Sequence, residues 1–139
     1  MKYLLDTNAV IALLKAEQSF LVQLRTHLPE AFGLPAIVAH ELFYGAYRSE
    51  RINENLARID GLRFEVLDFD CEDARMAGQL RAALAKAGTP IGPYDILIAG
   101  QAKARGLILI TRNTKSLSAL MGLVSRTGED REVDHSGFH

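Results

Sequence analysis

The 139 residues contain one cysteine and no tryptophan. A lone thiol closes no internal disulfide, so no disulfide framework organises the chain, in keeping with a reducing compartment. Cys71 stands among Asp70, Glu72 and Asp73, whose charges disfavour its thiolate, and it reads as inert. Long apolar runs are missing too. None approaches a membrane span, and the N-terminus has no basic region followed by an apolar one, so the expectation is a cytoplasmic protein with no membrane partner. Neither sign of charge dominates: 16 Lys and Arg against 17 Asp and Glu leave a net charge of −1. No overall field attracts nucleic acid, and a polyanion would have to meet a local cluster of Arg and Lys. The sequence also has no Walker-type glycine loop, no GxGxxG and no GxSxG elbow. His40-Glu41 begins like the zinc-protease helix motif, but Tyr44 stands where the second histidine belongs.

What is present is ordinary globular composition, 48% hydrophobic and 24% charged, in a length that closes one core. One domain is expected over residues 1–124. Residues 125–139, "SRTGEDREVDHSGFH", form a polar, aperiodic tail expected to be mobile or extended. His135 and His139 have helical metal-ligand spacing but fall in that tail, where such a pair reads as incidental. "YLLDTN" reads as a buried parallel strand that stops on Asp6 and turns at once into a helix. In that helix Val10, Ile11, Leu13 and Leu14 form a stripe and Asn8 is the expected cap. Further helices are expected at about Phe20–Leu28, from "AHELFYGAYRSE", over Arg51–Asp60, from Cys71 to Gly88, from Pro93 to Gly106, and over about Asn113–Met121. Strands are expected at "GLPAIV", "FEVLDF" and "LILIT". Short strands alternating with helices predict a three-layer α/β/α sandwich on a short parallel sheet.

In open parallel sheets ligands bind beyond the carboxyl ends of the strands. Asp6 ends the first strand, Glu41 lies one helical turn beyond the strand at Leu34–Ile37, Asp95 lies in the first turn after Pro93, and Thr111 and Asn113 follow Leu107–Ile110. Taken singly, each has a structural reading: Asp6 and Asn113 as helix caps, Glu41 as a solvated helix residue, Asp95 as a complement to a helix dipole, Thr111 as a strand end. Their convergence on one edge decides otherwise. Carboxylates brought together raise one another's pKa unless a cation joins them. Hard oxygen ligands with room for water suit Mg²⁺ or Mn²⁺, and such a site can activate water against a phosphodiester. "DTN" also invites comparison with the haloacid-dehalogenase phosphatases, but their second aspartate is Asn8 here.

"YLLDTNAVIALL", "IVAHELFYGAYRS" and "GTPIGPYDILIAGQAKARGLILITRNTK", with their spacing, resemble the PIN-domain ribonucleases and, more narrowly, the VapC toxins of bacterial toxin–antitoxin pairs. The resemblance covers residues 2 to about 115. It implies that Asp6, Glu41 and Asp95 bind Mg²⁺, that a bound water attacks RNA, structured RNA such as tRNA above all, and that the chain forms a homodimer inhibited by a VapB-type antitoxin. Two positions depart from the pattern. Asn113 stands where many members carry a fourth acid, and Ser116 where the similar members with asparagine carry a glutamate. Both bear on metal affinity, and "MGLVSRTGED" in place of the "GLxxEDW" with which such members end in a strand bears on C-terminal packing.

For the RNA, Arg48, Arg51, Arg112 and Lys115 are the candidate phosphate contacts, with solvated surface charge as the plainer reading. Phe43, Tyr44 and Tyr47 could stack on unpaired bases, though their helical spacing also suits the core or a dimer contact. The resulting expectation is an Mg²⁺-dependent endoribonuclease toxin using Asp6, Glu41 and Asp95, with Asn113 and Thr111 as positioners. Its rival is a catalytically silent PIN fold that acts by binding a partner.

Overall fold

A computed structural model describes residues 1–15 and 29–111. The chain begins with β1 (Tyr3–Leu5) and α1 (Thr7–Leu14). A short 3-10 turn, Pro29–Ala31, leads into β2 (Phe32–Pro35) and α2 (Ala36–Arg48). Then come α3 (Ile52–Asp60), β3 (Glu65–Leu67), α4 (Cys71–Lys86), α5 (Pro93–Arg105) and β4 (Ile108–Ile110). All pairings are parallel and the strand order is β3-β2-β1-β4. Tyr3 sits opposite Phe32 on one side, their rings stacked at 5.4 Å, and opposite Ile108 on the other.

Every residue of β1 and β2 is buried. Successive side chains of a strand point to opposite faces, so the sheet must be covered on both. That is the expected three-layer α/β sandwich. Leu4 and Leu5 are fully buried and point to opposite layers; each contributes about 1.5–3 kcal/mol by leaving water. Among the described residues no helix is long and apolar enough to cross a membrane.

Two boundaries differ from the sequence expectation. The second strand is Phe32–Pro35, not Leu34–Ile37, and the helix begins at Ala36. The run Phe32–Val38 has no period that separates strand from helix, and Pro35 marks the change. The first helix is capped by Asp6, whose carboxylate accepts from the Ala9 amide, rather than by Asn8. The expected helices Phe20–Leu28 and Asn113–Met121 and the tail from Ser125 lie outside the described residues.

The α5 helix is set by its packing on α4. A Cβ on Gly100 would fall 2.5 Å from Ala77 Cα and Cβ, so glycine lets the two backbones approach. Buried Asp73 then ties the helices together. Its carboxylate accepts from Arg105 Nε at 3.2 Å, from Arg105 Nη2 at 2.9 Å and from Gln101 Nε2 at 3.0 Å. Arg105 and Gln101 also donate to the Asp68 carbonyl. At its far end α5 stops on Gly106, left-handed at φ 65°, as its glycine predicts. At its near end it presents Asp95.

Candidate active site

The sheet order reverses at β1: the chain moves outward through β2 and β3, then returns to place β4 on the other side. Such a switch point opens a crevice at the carboxyl ends of the two strands. Asp6 leaves β1 there and Thr111 leaves β4. The Asp6 amide donates to the Ile110 carbonyl at 3.1 Å, and the Thr111 hydroxyl donates to Asp6 Oδ2. Asp6 Oδ1 accepts from the Ala9 amide at 2.8 Å. With an extended backbone and both oxygens held, the carboxylate is fixed at the carboxyl end of β1 while only 4% exposed.

Burial raises the Asp6 pKa from 3.8 to about 6, with Asp95 and Glu41 adding to the rise and the bonds from Thr111 and Ala9 opposing it. Glu41 stands in the second turn of α2, where the Thr7 hydroxyl donates to its Oε1 at 2.7 Å. Asp95 occupies the first turn of α5, framed by Gly92 and Pro93. Glu41, Asp95, Thr7, Asn8, Pro93 and Tyr94 line a cleft of about 310 Å³.

The structure thus brings Asp6, Glu41, Asp95 and Thr111 to one edge of the sheet, as their positions in the sequence suggest. Asn113, Ser116, Arg112 and Lys115 lie outside the described residues. Arg48 lies over the Tyr44 ring, 5.3 Å from its centroid, and Arg51 pairs with Glu54 at 3.5 Å on the surface. Phe43, Tyr44 and Tyr47 are exposed, which removes the core reading for them. Thr7 and Tyr94 were not singled out by sequence reasoning; their adjacency to Asp6 and Asp95 was the available signal.

A PIN-domain family model matches residues 3–120. The chain belongs to the PIN-domain family. Its VapC branch is shown by the relatives. The tRNA(fMet)-specific endonuclease VapC of Shigella flexneri is 40% identical over 126 residues, 88% of this chain and 95% of that protein. Ribonuclease VapC2 of Haemophilus influenzae is 34% identical over 125 residues, with coverage of 88% and 95%. Among solved structures, DNA-bound VapBC from Salmonella typhimurium superimposes with a TM-score of 0.80 at 39% identity, covering 85% of this chain and 91% of that one.

PIN-domain nucleases as a group depend on a divalent metal. Among the described residues no three acidic, histidine or cysteine side chains stand at mutual ligating separation. The chemistry of the PIN-domain donor set nonetheless fits such an ion. A carboxylate raised first by burial and further by two anionic neighbours is most relieved by a hard cation, and Glu41, Asp95 and the Thr111 hydroxyl offer oxygen beside it.

Proposed function

We propose that this VapC-family chain is an Mg²⁺-dependent endoribonuclease, the toxin of a two-component pair, with Asp6, Glu41 and Asp95 as the groups that hold the metal. The observation that carries this reading is Asp6: a buried carboxylate at the switch point, fixed by two hydrogen bonds and raised to a pKa of about 6 beside Asp95 and Glu41. When bound, the cation supplies Lewis acidity toward a water and a phosphate oxygen. Mn²⁺ serves in place of Mg²⁺, while Ca²⁺, with its looser coordination, serves poorly. Asp6 gives up its proton and keeps its direction, because the Ala9 amide and the Thr111 hydroxyl hold both oxygens. Glu41, steadied by Thr7, orients the attacking water with its remaining oxygen. Asp95, which lines the same cleft as Glu41, completes the charge, with Thr111 and Asn113 as positioners or water-mediated ligands.

The substrate is RNA, with tRNA suggested by the names of the enteric relatives. The inhibitor is a VapB-type antitoxin, as the VapBC complexes among the structural neighbours suggest. Its seat is the groove of about 370 Å³ between α1, α2 and α3, lined by Ile11, Leu14, Leu42, Ala46 and Ile59 and reaching Glu41 at the edge of the acid cleft. A peptide there would close off the site it adjoins. The active unit is a cytoplasmic homodimer of the domain 1–124, carrying residues 125–139 as a tail.

The test is cleavage of a total RNA sample by the purified chain with Mg²⁺, with EDTA, and with a VapB-type antitoxin co-expressed. Cleavage that needs Mg²⁺ and is silenced in a stable complex supports the reading. RNA binding without cleavage would favour the silent PIN fold instead.

A further inference from the structure

We propose that Tyr94, steadied by His40, is a base-stacking residue that receives an unpaired nucleotide next to the bond being cut. The inference rests on the ribonuclease reading and adds a substrate contact to it. Tyr94 directly precedes Asp95, and His40 directly precedes Glu41. Their rings meet edge to face at 5.8 Å and 61° across the two elements that carry those acids. Such a pair fixes both ring planes, yet Tyr94 stays 45% exposed and His40 is exposed as well. Tyr94 also lines the same cleft as Glu41 and Asp95. An aromatic surface is therefore held at the rim of the acid site and not spent on the core.

Charge explains why the site needs such a surface. Glu41, Asp95 and Asp6 repel a phosphodiester, the chain has a net charge of −1, Arg48 is stacked on its own Tyr44, and Arg51 is paired with Glu54. These two arginines are engaged within the protein, so among the described residues a contact that does not depend on charge adds affinity. Stacking on an aromatic ring is such a contact and is open only to a base outside a duplex. A second copy of the chain is the weaker occupant. Tyr44 and Tyr47 give α2 an exposed stripe of its own for that purpose, whereas a protein seated on Tyr94 would cover the cleft.

The experiment measures Kd for an uncleaved RNA stem–loop on the Asp6→Asn protein and KM on the wild type, using that RNA and its twin made abasic beside the cut. Tyr94→Leu is expected to raise Kd and KM about tenfold with kcat within about twofold. Tyr94→Phe should match the wild type, and His40→Ala should show a smaller loss of the same kind. On the abasic RNA the wild type should fall to the level of Tyr94→Leu. The inference is overturned if wild-type protein treats both RNAs alike, or if Tyr94→Leu changes the oligomeric state while KM stays the same. The abasic comparison uses unmodified protein, so it stands even if Tyr94→Leu folds poorly. Failure here with Asp6→Asn still inert would leave the nuclease reading intact; Asp6→Asn that cuts like the wild type would sink that reading itself.

Discussion

Two aspartates of this chain are buried near helix starts, and they behave in opposite ways. Asp73 sits in the first turn of α4, where burial pushes its pKa up, but the Arg105 guanidinium, the Asp70 amide and Gln101 together bring it below the usual value. Asp6 caps α1 with bonds from the Ala9 amide and the Thr111 hydroxyl; burial raises it to about 6, and Asp95 and Glu41 beside it add to the rise. One carboxylate has its cation built into the fold. Among the described residues the other has no cation beside it. A buried charge of the first kind holds two helices together, and one of the second kind marks a place where something must bind.

The sharpest way to break this comparison is to neutralise each acid in turn. Asp6→Asn keeps the geometry, since an amide can accept from Ala9 and meet the Thr111 hydroxyl, yet it removes a charged ligand. RNA cleavage should fall by a hundredfold or more, on the order of or beyond what loss of a supporting residue costs a metal site. The same change should stabilise the metal-free protein at pH 7 by about 1–3 kcal/mol, read by denaturant unfolding. Asp73→Asn should do the reverse. It removes the buried charge that Arg105 pairs with, leaving that 29% exposed side chain the Asp68 carbonyl and Asp70, and should lower stability by about 1–2 kcal/mol, less than a fully buried pair would lose. Cleavage per folded molecule should stay within a few-fold.

The pH dependence sharpens the contrast. The folded pKa of Asp6, about 6, lies above its unfolded 3.8. Between those values the folded chain holds a proton that the unfolded chain has lost, so the metal-free protein loses stability as pH rises from about 4 to about 6. Asp73 contributes in the opposite sense: its stabilisation is present above the unfolded value and is lost as pH falls through its lowered one. Thermal melts in EDTA across this range should show stability falling toward neutrality, and Asp6→Asn should flatten that slope. The increase in Tm produced by Mg²⁺ should grow over the same interval.

Much of this was legible in the sequence because it is local. "YLLD" and "LILIT" announce buried strands, Gly106 announces a helix stop, and strand ends place Asp6 and Thr111 on one edge without knowledge of packing. The pairing of Thr7 with Glu41 spans 34 residues and that of Asp73 with Arg105 spans 32. No periodicity reports contacts of that kind. The change from strand to helix at Pro35 was missed because a continuous apolar run carries neither period. Whether an acid caps a helix or faces a ligand is also not local, and Asp6 does the first with one oxygen while presenting its charge to the crevice.

A smaller effect is expected at Asn113. Asn113→Asp should shift cleavage to lower Mg²⁺ by adding a fourth acid to the proposed site. Asn113→Ala should cost about 1 kcal/mol of positioning, far less than Asp6→Asn. Equal Mg²⁺ midpoints in the wild type and both Asn113 variants would remove Asn113 from the site.

The central claim is that the unmatched charge of Asp6 is completed by a divalent metal that serves RNA cleavage. The most direct measurement titrates Mg²⁺ into metal-free wild-type and Asp6→Asn protein at pH 7 and follows cleavage of the same RNA. Wild-type activity should rise from nothing and vanish again in EDTA, while Asp6→Asn stays inactive at every concentration. Cleavage that persists in EDTA, or an Asp6→Asn protein that cuts with the wild-type Mg²⁺ midpoint, would contradict the account.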